Sequence, residues 1–163
     1  LDGRLYGGAR GIAGELGHFP LERDGRPCTC GNRGCLEQYA STTALVRLAC
    51  QATGEASLNG REIFARAARK DPTMLRVLAA WTADVAAGVT GLVHVFNPEM
   101  VLIGGGVSAQ EALFLSPLRE RVLAQVMPCF ATGLRVERAA LGNDAGLVGA
   151  AKWWMDSMEN RAT

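Results

Sequence analysis

The stretch GELGHFPLERDGRPCTCGNRGCLEQYAS, residues 14–41, gathers His18, Cys28, Cys30 and Cys35, with Glu15 and Glu37 on its flanks. Its Gly and polar residues follow no sustained helical or strand period, and residues 5–35 read as loop with short strands. The pattern H-x9-C-x-C-x4-C is the donor set of a closed tetrahedral Zn²⁺ site, Cys3His. Gly25, Gly31 and Gly34 let the loop turn tightly enough to aim three sulfurs at one point. Four protein ligands leave no open position, so the metal is expected to be structural. Such a site supplies about 10–16 kcal/mol of apparent metal-binding free energy toward ordering its loop.

Other readings fit less well. Cys-x-Cys is not the redox Cys-x-x-Cys spacing, and no βαβ pattern adjoins it. A zinc finger needs a second paired half, which is missing. Three unrelated thiols and a core His remain the plain alternative. With five Cys in all, an odd number with one cluster, a disulfide framework is disfavoured and a reduced, cytoplasmic protein is expected.

Glu15 precedes His18 by one helical turn, and Glu37 follows Cys35 closely. If His18 and Cys35 meet at one metal, both carboxylates arrive in one neighbourhood. Carboxylates and an imidazole suit a polyhydroxy ligand such as a sugar. They could equally be a glycosidase acid–base pair, or Glu37 could simply favour a helix start through the dipole.

Beyond this loop the chain reads as alternating helices and strands, hence α/β or α+β. Leu36, Tyr39, Ala40, Ala44 and Leu48 predict a helix over 36–52, stopped by Gly54. REIFARAARK predicts a second helix, with Ile63, Phe64 and Ala67 on one face. Asp71-Pro72 opens the longest helix, 72–96, whose wide apolar stripe runs from Leu75 to Phe96, Ala79 and Thr82 included. Asn97-Pro98 ends it. Val101, Leu102 and Ile103 predict a short buried strand closed by Gly104, Gly105 and Gly106. A helix over 117–127, a strand over 134–141 and a last helix over 145–157, capped by Asn143-Asp144, follow.

A length of 163 residues suits about one domain, and 48% hydrophobic with 20% charged residues suits a globular core. The net charge of +1 gives no electrostatic reason to expect nucleic acid or an anionic membrane. No uninterrupted apolar run reaches the ~20 residues of a membrane span. Asp2-Gly3 predicts a hairpin turn whose first strand would precede Leu1, so the chain is expected to be part of a longer protein. The triple Gly after a strand is neither a Walker loop nor a dinucleotide fingerprint. It serves tight packing or ligand approach, as could Gly146 and Gly149 in the last helix.

Four segments together carry a resemblance: GIAGELGH (11–18), CTCGNRGCLEQYAS (28–41), NPEMVLIGGGVSAQ (97–110) and LGNDAGLVGAA (141–151). They resemble the ROK family of bacterial sugar kinases and sugar-responsive repressors, from the first residues to about Lys152. The resemblance implies an actin-like ATPase fold with two ribonuclease-H-like lobes, of which this chain is the C-terminal one. It implies His18, Cys28, Cys30 and Cys35 as zinc ligands, and Glu15, His18 and Glu37 as contacts to sugar hydroxyls, so that His18 serves both. It implies Gly104, Gly105 and Gly106 as the adenosine-binding turn. Residues 1–142 are then the sugar, zinc and adenosine lobe. Residues 143–163 are the terminal helix, expected to pack on the other lobe and to leave Val148, Ala151, Trp154 and Met155 without a partner here. Packing of Trp153 and Trp154 on this chain's own sheet is the plain alternative.

The family's D-x-G-x-T phosphate loop, catalytic Asp and Gly-Thr-Gly turn have no counterpart in this sequence. The general base, and most of the hold on ATP and Mg²⁺, are therefore expected upstream, and the isolated chain is expected to be inactive. The intact glycine turn is closer to the kinases than to the repressors. A dimer is implied by family habit, and DNA binding only with an upstream helix-turn-helix.

Overall fold

The computed structural model describes residues 5–159. The Asp2-Gly3 turn lies outside them. The architecture hangs on helix α4, Pro72–Phe96. Asp71 Oδ1 accepts hydrogen bonds from the backbone N–H of Thr73 at 2.8 Å and of Met74 at 3.2 Å. Pro72 fills the first turn, where an N–H would lack a partner anyway. At the other end Asn97 takes the left-handed conformation, φ 43°, and Pro98 prevents continuation.

Around α4 pack α1 (Glu37–Ala40), α2 (Thr42–Thr53), α3 (Gly60–Ala68) and α5 (Ser116–Gln125). Leu45, Ile63, Met74, Trp81, Phe114, Leu118 and Val122 are buried between them. Each such side chain contributes about 1.5–3 kcal/mol through burial. The rings of Trp81 and Phe114 meet at 4.7 Å. By length and composition α4 could cross a membrane, but its buried stripe is that of a core helix. The stripe is rotated from the sequence reading: Ala79 is exposed and Phe96 is 44% exposed, while Met74, Val77 and Trp81 are buried.

The single helix expected over 36–52 is two. Ser41 is extended, and its Oγ accepts from the Ala44 N–H at 3.1 Å, capping α2. Trp81 Nε1 donates to the carbonyls of Ala40 at 3.1 Å and Ser41 at 3.0 Å, holding the break. Helix α3 begins with a reciprocal Asn59–Glu62 capping box.

Strands β1 (Met100–Ile103) and β2 (Arg135–Arg138) are parallel, with Met100 opposite Arg135 and Ile103 opposite Arg138. Helices packed around a parallel pair make the class α/β. The crossover runs through a 3₁₀ turn (Gly106–Ala109), a π turn (Glu111–Leu115), α5 and α6 (Pro128–Ala131). Three strand expectations need correction. β2 is shorter than 134–141 because β1 offers it four partners. β1 is not fully buried, since Leu102 is 58% exposed. Residues 5–35 hold isolated bridges, Pro20–Cys35 and Pro27–Arg33, in place of short strands.

Helix α7, Ala145–Glu159, follows a 3₁₀ turn at Gly142–Asp144. Leu147, Val148, Met155 and Met158 are exposed. So are Trp153 and Trp154, at 58% and 61%, which is more than ordinary packing on the chain's own sheet would leave open. Gly146 and Gly149 face open space rather than a close neighbour. Of the two Cys outside the cluster, both set among apolar residues in the sequence, Cys50 packs against the core but Cys129 is exposed.

Candidate functional site

The loop over 14–36 is shaped by its own backbone. Leu21 N–H donates to Gly34 O at 2.7 Å, Gly34 N–H to Arg26 O at 2.7 Å, and Cys28 N–H to Asn32 O at 2.8 Å. Gly34 has φ +75°, and a Cβ there would stand 1.7 Å from Glu22 O. Only glycine fits that crossing. Tyr39 Oη accepts the Arg26 N–H at 2.9 Å, and the Arg26 guanidinium lies over its ring. Leu36 seats the loop on the core: a Cβ on Gly88 of α4 would meet the Leu36 methyls at 2.6 and 2.7 Å.

This folding brings the four expected ligands together. One ligand atom each from His18, Cys28, Cys30 and Cys35 lie within 4.8 Å of one another, the one such cluster among the described residues. His18 Nδ1 is 3.6 Å from Cys28 Sγ, and Cys30 Sγ is 3.6 Å from Cys35 Sγ. Four donors at about 2.3 Å from a tetrahedral ion stand about 3.8 Å apart. The sulfurs are far beyond the ~2.05 Å of a disulfide. The donor set thus fits a zinc ion, which when bound supplies a fixed positive centre that orients its ligands.

The thiols are electrostatically unequal. Hydrogen bonding from the Cys30 backbone draws Cys28 down to about 6, with smaller help from the Cys30, His18 and Cys35 side chains against burial. Burial pushes Cys35 up to about 12, reinforced by hydrogen bonds from and the charges of Cys30 and Cys28. Without metal the cluster therefore keeps protons that a bound dication displaces. Gln38 Nε2 donates to Cys28 Sγ at 3.7 Å, and the Gln38 backbone carbonyl accepts from the Arg47 guanidinium. No sequence pattern singles out Gln38; its contact with Cys28 follows from its place on α1.

The carboxylates flank the imidazole from two sides. Glu15 Oε2 is 3.8 Å from His18 Nε2, and Glu37 Oε2 is 3.9 Å from His18 Nδ1. These separations are too long for hydrogen bonds to the ring; Glu37 Oε2 accepts from the Cys28 thiol at 3.9 Å, and the remaining carboxylate lone pairs stay open to other donors. Glu15 is 77% and Glu37 47% exposed, so both reach solvent. The geometry presents acceptors on either side of one ring, an arrangement suited to neighbouring hydroxyl groups.

The glycine turn lies apart from this loop in sequence, at the C-terminal end of β1. A Cβ on Gly104 would touch Ala139 Cβ and Gly142 O at 3.9 Å each, so the turns after β1 and β2 meet. Among the described residues nothing stands within 4 Å of where a Cβ on Gly105 or Gly106 would lie. Ligands of parallel sheets bind at this end of the strands. Ser108, which the sequence did not mark, closes the turn from below.

Residues 1–157 match the ROK family. The chain belongs to that family. The glucokinase of Thermotoga maritima is 36% identical over 162 residues, covering 91% of this chain and 51% of that protein. The xylose repressor of Bacillus spizizenii is 29% identical over 149 residues, covering 91% of this chain and 38% of the repressor. Among solved structures, a ROK family glucokinase from Streptomyces griseus in complex with glucose and AMPPNP superposes with a TM-score of 0.76 at 34% identity. It covers 87% of this chain and 51% of that one. The chain therefore spans about half the length of the glucokinases it matches. The ROK kinases share its α/β fold.

Proposed function

We propose that this chain is the sugar-, zinc- and adenosine-binding part of an ATP-dependent hexose kinase of the cytoplasm. Glu15, His18 and Glu37 contact the sugar hydroxyls. His18, Cys28, Cys30 and Cys35 hold Zn²⁺. Gly104, Gly105 and Gly106 accept the adenosine of ATP. The observation that carries this reading is the two-sided use of His18. Its Nδ1 faces Cys28, and its Nε2 faces Glu15. Metal on Nδ1 fixes the proton on Nε2, so the ring meets the sugar side as a donor beside Glu15, while Glu37 stands at the Nδ1 edge next to the metal ligands.

Phosphoryl transfer needs a base for the attacking hydroxyl and Mg²⁺ across the phosphates. In this reading both the base and the Mg²⁺ site come from outside residues 1–163, and the chain alone binds without turnover. Residues 143–163 pack on the other lobe, and the whole protein is a homodimer. A sugar-sensing repressor is the second reading, favoured by the identity to the xylose repressor over 91% of this chain. There the same pocket senses an effector, and DNA is bound through a separate helix-turn-helix.

Calorimetric titration of the zinc-loaded chain with glucose and N-acetylmannosamine tests the pocket. Binding that is lost in Glu37→Ala and on chelation supports it; binding indifferent to both overturns it. For the complete protein, ADP formation with a hexose supports the kinase, and sugar binding without ADP formation favours the repressor.

A further inference from the structure

We infer that Ser108 is the positioning residue of the glycine turn, holding the Gly105 carbonyl inward so that the open face stays shaped for adenosine. This rests on the nucleotide reading of Gly104–106 given above. Ser108 is 1% exposed, one of two buried polar residues among those described. Both of its donors go to one atom. Its Oγ donates to Gly105 O at 2.8 Å, and its backbone N–H donates to the same oxygen at 3.2 Å.

The double tie has a structural reason. Gly105 sits at φ 82°, ψ 177°, a conformation open to glycine and hardly any other residue. A glycine peptide so placed rotates at little cost unless something holds it. In the other orientation the Gly105 carbonyl would turn into the open face. An added carbonyl dipole there would face the ligand with a lone pair, where a purine or ribose edge is to lie. Burial makes the tie costly to leave unmade, since the Ser108 hydroxyl, 1% exposed, would lose its partner away from solvent. The hydroxyl thus acts at a distance from any ligand, through the peptide it orients.

Removing the hydroxyl is expected to weaken ADP binding about 5–20-fold in Ser108→Ala, read by calorimetry on the 163-residue chain. Ser108→Thr keeps the hydroxyl and should restore affinity to within about twofold. The second readout is the backbone amide of Gly106, which shares the peptide plane with the Gly105 carbonyl. In nitrogen-15 NMR of the ligand-free chain, its shift and solvent exchange should change in Ser108→Ala and return in Ser108→Thr. A merely structural role would lower thermal stability in both variants and leave the amide unmoved. Unchanged ADP affinity with an unchanged Gly106 amide in Ser108→Ala overturns the role of Ser108 and leaves the nucleotide reading standing. Failure of the wild-type chain to bind ADP overturns that reading instead, and the Gly106 amide still decides whether Ser108 orients the peptide.

Discussion

The loop over 14–36 and the helices α2 to α5 are ordered by different physics. The helices bury Leu45, Ile63, Met74, Trp81 and Leu118 in a shared apolar core. The loop buries little besides Cys28 and Cys35, crosses itself at Gly34, and converges on four ligand atoms. One region is held by area removed from water, the other by a few directional bonds to a point. A region of the second kind keeps its functional side chains exposed and still fixed. It does so at the cost of depending on one occupant.

The largest expected effect separates the two regions outright. Chelation removes about 10–16 kcal/mol of apparent metal-binding free energy, and Cys35→Ser removes part of it. Hydrogen exchange should then rise across residues 19–36, while α4 keeps its protection. Equal loss of protection in α4 would show that the loop and core are one cooperative unit. The reverse test is Trp81→Ala, expected to cost about 3–5 kcal/mol in urea unfolding of the zinc-loaded chain. It also removes the indole donor from the carbonyls of Ala40 and Ser41, of which Ser41 keeps the Leu45 N–H.

A smaller effect reaches the metal without touching a ligand. Gln38→Leu removes the donor to Cys28 and should weaken zinc binding about 10–100-fold in competition with a chromogenic chelator. Unaltered affinity would mean that Cys28 needs no support from α1. Asp71→Ala should cost about 1 kcal/mol, confined to the core, with zinc affinity unchanged.

The smallest effect is one of pH. Arg66 holds the Glu55 carboxyl below its ordinary value through bonds of 2.5 and 2.8 Å. A carboxyl whose folded pKa is depressed contributes stability above its unfolded pKa, near ~4.3, and loses it as pH falls through the folded value. In metal-free chain, Glu55→Gln should remove that part of the acid dependence; an identical pH profile would show the pair to be idle.

What the sequence made legible follows the same division. Helix α4 could be bounded from both ends because Asp71, Pro72, Asn97 and Pro98 are local signals that the structure obeys. The ligand set was legible because donor type and spacing are themselves the chemistry. The break at Ser41 was not, because the donor that holds it, Trp81, lies 40 residues away in sequence. The length of β2 was set by the partner strand rather than by its own alternation. Gln38 and Ser108 carry no spacing signature at all, and their roles exist only where the fold delivers them.

The fit of Leu36 against Gly88 has a consequence for inheritance. The side chain that ends the loop and the missing side chain on the core helix are two halves of one joint. A loop transplanted from a relative, even with every ligand intact, would arrive without its socket unless position 88 travelled with it. Substitutions at 36 and 88 should accordingly be tolerated in pairs and rejected singly. The unit that can be exchanged between these proteins is then larger than the loop, and its boundary runs through the middle of a helix.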